Sequence, residues 1–374
     1  MILAGIDEAG YGPLLGPLVV SCAAFEVPDA LGDGALPTEV EALPCLWTLL
    51  GRAVVKKNSG GARGRVLVAD SKLVHNLSDG KRLLERGVLA FLPDSPLGGG
   101  RADTLEMLDL ERLVQRLDCT KHGLRDHPWY GLTDGAPASG AARADRLPRW
   151  CDGADLMLAT SMVRAAGDQA GVHLRTLRTA LVCEGRYNRL VERTNNKASA
   201  LISITLSHLH YLHTTYGHQG LVVGVDKQGG RDHYTQLLMQ TFPETSLKVL
   251  REDGGGSSYL LTQQGAVAPT AAARDDEGNG DRSPHPRQAG GYRRTVIHFR
   301  EKGETHFLAT ALASMTCKYL RELAMEAFNA WWCARVPGLT PTAGYYQDGT
   351  RWLADVAPHL ESLGISREQL VRVK

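Results

Sequence analysis

The sequence predicts an α/β domain built on a mixed β-sheet, and three observations support this prediction. Two short apolar runs, residues 1–6 and 18–25, are separated by Gly and Pro, which is typical of a strand–turn–strand hairpin. Downstream, apolar runs of strand length alternate with segments of helical periodicity. The run at 221–225 is continuously apolar and ends at Asp226, which indicates a strand buried on both faces.

The remaining elements follow from periodicity along the chain. Helical spacing of apolar residues predicts helices within residues 39–53, 105–117, 154–170, 198–216 and 310–333. Short apolar runs predict further strands at 66–69, 177–183 and 296–299. On the last helix Ser314, Lys318 and Glu322 are spaced i, i+4, i+8, so we expect them to share one face.

Length and composition limit the class of protein. The 374 residues are 43% hydrophobic and 22% charged, as in an ordinary globular protein, and the formal net charge is only +1. This balance excludes a uniformly basic nucleic-acid-binding surface but not a local basic cleft. No apolar run approaches the ~18 residues of a membrane span, and the start of the chain lacks the basic n-region of a signal peptide. Seven scattered cysteines without a Cys-x-x-Cys pair argue against a disulfide framework. We therefore expect a cytoplasmic protein.

Three segments interrupt the regular pattern, at residues 28–64, 92–150 and 262–292. Each mixes Gly, Pro and charged residues. We expect the second to be an irregular surface insertion and the third a disordered loop. A length of 374 residues by itself suits about two domains, or one domain enlarged by insertions.

Acidic residues stand where strands end. Asp7 and Glu8 close the first strand and Asp226 closes a later one, while Glu322 lies on the last long helix. If the two strands are parallel neighbours, their carboxylates converge, which is the usual position for a ligand site in an α/β sheet. Converged carboxylates need a cation to remain ionised, and oxygen ligands favour Mg²⁺ or Mn²⁺. Two such ions ~4 Å apart would hold the attacking water and the leaving oxygen of a phosphoryl displacement.

Each acid alone has a simpler explanation, since an Asp that ends a strand is most often a turn or cap residue. The continuation at residues 8–13, EAGYGP, makes a ligand site the stronger interpretation, because its glycines leave room for a backbone to approach a ligand. DEAGYGPLLGP at residues 7–17 resembles the opening motif of the type 2 ribonucleases H. Five further segments resemble motifs of that family in the same order: DSKL at 70–73, VD-x-x-G at 225–229, KGE at 302–304, AS-x-x-x-K-x-x-RE at 313–322, and GY at 344–345 with GT at 349–350.

The resemblance implies an RNase H-like fold, with a central five-stranded mixed sheet flanked by helices. Because the motifs span residues 7–350, we expect one catalytic domain over 1–374 with insertions. The implied activity is a divalent-metal endonuclease of RNA/DNA hybrids, or of ribonucleotides embedded in DNA, leaving 5′-phosphate and 3′-hydroxyl ends. The implied ligands of Mg²⁺ or Mn²⁺, and the catalytic residues, are Asp7, Glu8, Asp226 and Glu322, the last in place of the family's Asp. We expect a monomer whose partner is nucleic acid and which does not bind membranes.

The same resemblance predicts the nucleic-acid contacts. These are Gly10, Tyr11, Gly12, Ser71, Lys72, Lys227, Arg231, Ser314, Lys318 and Tyr345, with Tyr346 as a rival for the last. Tyr11 departs from the family's Arg, which helps to read the ribose 2′-hydroxyl. A tyrosine lacks the charge and the five-donor fork of an arginine. Two alternatives therefore stay open: a structure-selective nuclease without ribonucleotide selectivity, and a catalytically silent nucleic-acid-binding module.

Overall fold

The structure, a computed structural model, describes residues 1–28, 36–58, 64–92, 110–117, 119–122, 127–130, 146–228, 230–264 and 292–373. The strands within these ranges are β1 Ile2–Ala9, β2 Leu18–Glu26, β3 Val54–Val55, β4 Val66–Leu67, β5 Thr120–His122, β6 His173–Val182, β7 Leu221–Asp226, β8 Ser246–Asp253, β9 Gly256–Gln264 and β10 Tyr292–Arg300. The helices are α1 Leu46–Leu49, α2 Ser71–His75, α3 Gly80–Leu89, α4 Leu110–Arg116, α5 Gly153–Ala170, α6 Glu184–Thr194, α7 Lys197–Tyr216, α8 Thr235–Thr241, α9 Gly303–His306, α10 Leu308–Cys333, α11 Tyr346–Val356 and α12 Arg367–Leu370.

The centre of the molecule is a mixed sheet with strand order β5-β6-β2-β1-β7-β10-β9-β8. β1 pairs antiparallel with β2, as the predicted hairpin requires, and parallel with β7. β7 in turn pairs parallel with β10. The prediction of an α/β fold with a mixed sheet flanked by helices is confirmed, but the sheet has eight strands where five were expected. The five central strands, β6-β2-β1-β7-β10, are extended by β5 at one edge and by the β9–β8 hairpin at the other.

Helices cover both faces of this sheet. The apolar side chains of α10 pack on one face together with α3, and those of α7 pack on the other face. Gly5 sets the distance between β1 and α10, because a Cβ at this position would lie 2.1 Å from the backbone nitrogen of Thr310. Only glycine permits this approach. The close packing brings the side chains of α10 directly against the end of β1.

Residues 92–150, predicted to be an irregular surface insertion, include described parts that pack into the core. In its described part, β5 joins the sheet beside β6, and Leu113, Leu117 and Trp129 are almost fully buried. The ring of Trp129 packs edge-on against Phe328 of α10, with centroids 5.9 Å apart. A few large apolar residues, scattered among Gly, Pro and Arg, are enough to anchor these parts to the core.

Described parts of the other two predicted insertions also belong to the folded structure. In the first, Trp47 is buried and its indole nitrogen donates to the carbonyl of Val68 over 2.9 Å. In the third, the first residues belong to β9 and the last, Tyr292, begins β10, while residues 265–291 lie outside the described part. In the described residues, no helix combines the length and apolar character needed to cross a membrane.

Candidate active site

Two acidic strand ends lie side by side at one edge of the sheet. In the parallel β1–β7 pair, Ile6 stands opposite Val225, so Asp7 and Asp226 follow at adjacent positions where this pairing ends. The first five residues of β7 are apolar and buried in the middle of the sheet. Asp226, its last residue, is the first that is partly exposed. The backbone therefore brings Asp7 and Asp226 together, as expected for the carboxyl ends of parallel strands.

Asp7 is 6% exposed and closely supported. Its Oδ1 accepts a hydrogen bond of 2.7 Å from the backbone amide of Glu8, and the hydroxyl of Ser314 also hydrogen-bonds to its carboxylate. The thiol of Cys317 contacts its backbone carbonyl at 3.2 Å. Burial raises the pKa of Asp7 well above its usual range, and the negative charges of Glu8 and Asp226 raise it further. The fold thus holds a carboxylate where ionisation costs free energy unless a cation is nearby.

Ionisation of Glu8 and Asp226 is disfavoured in the same way. Burial raises the pKa of Glu8 to about 7, and the charge of Asp226 is the next cause. Gln228 fixes Glu8 in place, since its Nε2 donates to Glu8 Oε2 at 3.2 Å and to the hydroxyl of Thr205 at 2.8 Å. Burial also raises the pKa of Asp226, whose Oδ1 accepts from the amide of Gly303 over 3.0 Å.

A fourth carboxylate of the cluster belongs to Glu304, which the sequence analysis matched to a motif without giving it a role. Glu304 lies in the short helix α9, directly after β10, and is 9% exposed. Burial raises its pKa, and the charge of Asp226 raises it further; its own charge in turn raises the pKa of Glu8. The acidic cluster is therefore Asp7, Glu8, Asp226 and Glu304.

The predicted fourth ligand, Glu322, makes its contacts with basic side chains and not with these acids. It lies eight residues beyond Ser314 on α10, which is about 12 Å along a helix. Its carboxylate pairs with Lys318 at 2.7 Å, with His75 at 3.4 Å and with Lys81 at 3.5 Å. Burial works against ionisation, but these neighbours lower the pKa of Glu322. Helical spacing placed Glu322 on the face of Ser314 and gave no information on distance from the strand ends.

Two predicted nucleic-acid contacts, Ser71 and Ser314, are instead buried supports of the site. They are 5% and 4% exposed and hydrogen-bond to each other across 2.9 Å. Because Ser314 also bonds to Asp7, the pair links α2 and α10 to the first carboxylate. Lys318 shares the α10 face of Ser314 but is held in its ion pair with Glu322.

The predicted cations differ in their surroundings. Lys72 is exposed at the start of α2, and its charge lowers the pKa of Glu8, Asp226 and Glu304, so it faces the acidic cluster. Lys227 does not offer an open charge, since its Nζ lies 2.6 Å from Asp232 and 3.5 Å from Glu301. The side chain of Arg231 is half-exposed beside it.

The turn formed by Gly10, Tyr11 and Gly12 borders the cluster. Gly10 has a φ of +86°, and a Cβ there would lie 2.6 Å from the carbonyl oxygen of Pro17, so glycine is required. The neighbouring loop of Tyr345 is attached to this turn, because the amide of Leu14 donates to Gly344 at 2.8 Å. Tyr345 and Tyr346 are both about half exposed, at 55% and 56%.

Sequence reasoning missed two buried residues that hold this turn. Arg321 donates to the carbonyl oxygens of Pro17 at 2.7 Å and Leu15 at 3.0 Å. Glu184 accepts from the amide of Gly16 at 3.0 Å and from the hydroxyl of Tyr130 at 2.8 Å. A charged residue in an otherwise polar helical segment gives no sign of burial, so no signal in the sequence identified Glu184.

The chemistry of the acidic cluster fits a hard divalent cation. All four donors are carboxylates, three of them at the ends of strands or directly after one, and burial raises the pKa of each. As placed in the described ranges, no group of three or more His, Cys, Asp or Glu side chains is arranged to hold a metal ion. The residues that would hold Mg²⁺ or Mn²⁺ are Asp7, Glu8, Asp226 and Glu304.

Comparison with known proteins found similar solved structures. A chain of the PCNA:RNase HII complex from Archaeoglobus fulgidus is 12% identical with a TM-score of 0.38, over 100% of this chain and 95% of that chain. The ribonuclease H2 from Pyrococcus horikoshii OT3 is 13% identical with a TM-score of 0.35, over 99% and 92% of the two chains. Aquifex aeolicus RNase H3 is 12% identical with a TM-score of 0.29, over 99% and 71%.

No protein-family model matches the chain, and no curated protein matches it in sequence. Each of the three structures contains a ribonuclease H.

Proposed function

We propose that this chain is a divalent-metal-dependent endonuclease that hydrolyses phosphodiester bonds in RNA/DNA hybrids, or at ribonucleotides embedded in duplex DNA, and leaves 5′-phosphate and 3′-hydroxyl ends. In this proposal residues 1–374 form one catalytic domain that uses Mg²⁺ or Mn²⁺ and acts as a monomer. The observation that carries it is the group of carboxylates at the ends of the adjacent parallel strands β1 and β7, together with Glu304 in α9.

A cluster of this kind is unsuited to binding nucleic acid without a cation. Asp7, Glu8, Asp226 and Glu304 would repel the phosphate backbone, and burial raises the pKa of each, so a cation would favour their ionised forms. Bound Mg²⁺ or Mn²⁺ would polarise the scissile phosphate and lower the pKa of an attacking water. The order of motifs, which resembles that of type 2 ribonucleases H, supports a phosphodiester as the substrate.

The residues around the cluster have distinct tasks in this proposal. Gln228 and the amide of Gly303 keep Glu8 and Asp226 in fixed orientations. Lys72 places a positive charge close to the acids and so attracts the substrate's phosphates. Exposed Tyr345 offers a flat surface on which a base or sugar can pack. Positioning and charge neutralisation would supply most of the rate acceleration.

A panel of matched duplexes tests the proposal. All-DNA, RNA/DNA hybrid and single-ribonucleotide duplexes are incubated with wild type and with Asp226→Asn, in Mg²⁺ and in Mn²⁺. We expect wild type to cut the hybrid or the ribonucleotide junction, and Asp226→Asn to lose cleavage while its circular dichroism stays native. Asp168→Asn, the same chemical change at an exposed site on α5, is the matched control. Full activity of Asp226→Asn would reject the site.

A second candidate is a nuclease that selects structure and not the ribose. Tyr11 favours it, because a tyrosine at this turn offers one hydrogen bond where an arginine would offer five. Equal cleavage of all-DNA and hybrid duplexes would support this candidate. Preference for the hybrid, increased further by Tyr11→Arg, would support the first. Binding without cleavage of any duplex would indicate a nucleic-acid-binding module.

A further inference from the structure

Tyr11 is placed where it can touch a substrate held at the acidic cluster. Its side chain is half-buried in the turn after β1, and its pKa is raised by burial and then by the nearby charge of Glu8. Gly12, the next residue, is exposed, and a Cβ there would meet no atom within 4 Å. The turn therefore borders open space at Gly12, but its tyrosine brings no positive charge.

A lysine from another element supplies that charge. Lys197 is the first residue of α7, and its Nζ lies 5.6 Å from the centroid of the Tyr11 ring, a cation–π distance. Asn196 caps the helix by accepting from the amide of Ser199 at 3.1 Å, and the first turn contains no acidic residue. The positive end of a 20-residue helix thus adds to the lysine charge at this point.

Two buried arginines, Arg372 and Arg321, also contact the turn. Arg372, which is 2% exposed, donates to the carbonyl of Pro13 and lies 4.9 Å from the ring of Tyr187. Arg321 holds the other end of the turn, and Glu184 accepts from the amide of Gly16 at 3.0 Å. Two buried guanidinium groups therefore lie against the base of the turn, in addition to the charge of Lys197.

We propose that Tyr11 and Lys197 together bind a backbone phosphate of the cleaved strand, next to the phosphate held at the carboxylates. This inference rests on the proposed function and identifies how this site holds its substrate. The Tyr11 ring orients the lysine stem, and the ammonium donates to phosphate oxygens as a point charge. The contact is to phosphate and not to a base, so it strengthens binding equally for all sequences.

The test measures nucleic-acid binding separately from cleavage. Wild type, Lys197→Met, Lys197→Arg and Tyr11→Phe are each prepared with and without Asp226→Asn. The matched control is Lys248→Met, at an exposed lysine on the edge strand β8. Affinity of the Asp226→Asn proteins for a fluorescent RNA/DNA hybrid and for the same all-DNA duplex is measured from 50 to 200 mM salt, and kcat and KM are measured in the active proteins.

We expect Lys197→Met to weaken binding of both duplexes about fivefold at low salt and to reduce the slope of log affinity against log salt by about 0.9. In the active protein, KM should rise by a similar factor while kcat stays within about twofold. Lys197→Arg and Tyr11→Phe should bind like wild type, since they keep the charge and the ring. Tyr11→Arg added to Lys197→Met should restore affinity by returning a cation to the turn.

Two results overturn this inference. One is a salt slope and KM for Lys197→Met equal to those of Lys248→Met, which would show that no phosphate is bound there. The other is a fall in kcat, or in melting temperature, without a change in affinity, which would show that Lys197 acts only on the structure. Failure of the proposed function looks different: wild type would cleave no duplex, while the binding comparison would still decide the role of Lys197.

Discussion

Replacing Glu8 with glutamine removes one charge from the acidic cluster without changing its shape. The glutamine oxygen can still accept the hydrogen bond from Gln228 Nε2, which measures 3.2 Å in the structure. We expect the metal-free protein to become more stable by this change at pH 8. The reason is that the native fold holds Glu8 where burial and the charge of Asp226 oppose its ionisation.

The size of the gain follows from the pKa of Glu8, which rises from 4.5 to about 7 on folding. Such a rise corresponds to about 3 kcal/mol, and because Glu8 is only half-buried, water screens part of it. We therefore expect about 2 kcal/mol. A raised pKa gives a contribution to stability that is complete below pH 4.5 and is lost as the pH rises through about 7. The advantage of Glu8→Gln should thus be large at pH 8 and close to zero at pH 4.5.

Urea unfolding with a chelator present, at both pH values, measures this difference. The matched control is Glu192→Gln, at an exposed glutamate on α6. A Glu8→Gln protein no more stable than wild type at pH 8 would refute the reasoning. So would an equal gain at both pH values, since that would come from packing and not from charge.

Three further predictions follow from the same geometry. Saturating Mg²⁺ or Mn²⁺, at about 100 times its dissociation constant, should stabilise wild type by about 2.7 kcal/mol in thermal unfolding, and Asp226→Asn clearly less. Glu304→Gln should lower the cleavage rate about 100-fold in a kinetic assay. Because Glu322 lies outside the cluster, Glu322→Gln should change that rate by no more than about twofold. The reverse result would support Glu322 as a ligand. His208 is 4% exposed and burial lowers its pKa to about 4, so wild type should lose about 3 kcal/mol of unfolding free energy as the pH falls from 6.5 through 4. His208→Gln can still donate to the carbonyl of Val20 and should not show this loss when urea unfolding is measured at pH 7 and pH 4.

Much of the fold was predictable because its signals are local. The hairpin of β1 and β2, the buried strand β7 and the helices α5, α7 and α10 lie within a few residues of the predicted ranges. The β8–β9 hairpin was missed. The inner positions of β8 are only partly buried and include Glu252, while Val249 is exposed, so the apolar pattern of this strand is weak. Short β5 was missed because three residues carry no measurable period.

The candidate site was predictable to the extent that its residues end strands. Asp7, Glu8 and Asp226 each mark a point where an apolar run stops, and parallel neighbouring strands must bring such points together. Glu304 and Glu322 show the limit of this reasoning. Both belong to motifs, but only the path of the chain after β10 decides which carboxylate faces Asp226.

The sequence by itself determined the class of fold, the order of its central elements and the chemistry of its acidic residues, because periodicity, turn residues and side-chain type are properties of short segments. Tertiary structure alone decided which distant residues meet. It placed Glu304 in the cluster and Glu322 in an ion pair, buried Ser71 and Ser314 beneath Asp7, and set Lys197 against Tyr11. These are contacts between residues far apart in the chain, and they depend on how helices and strands pack, which no local pattern encodes.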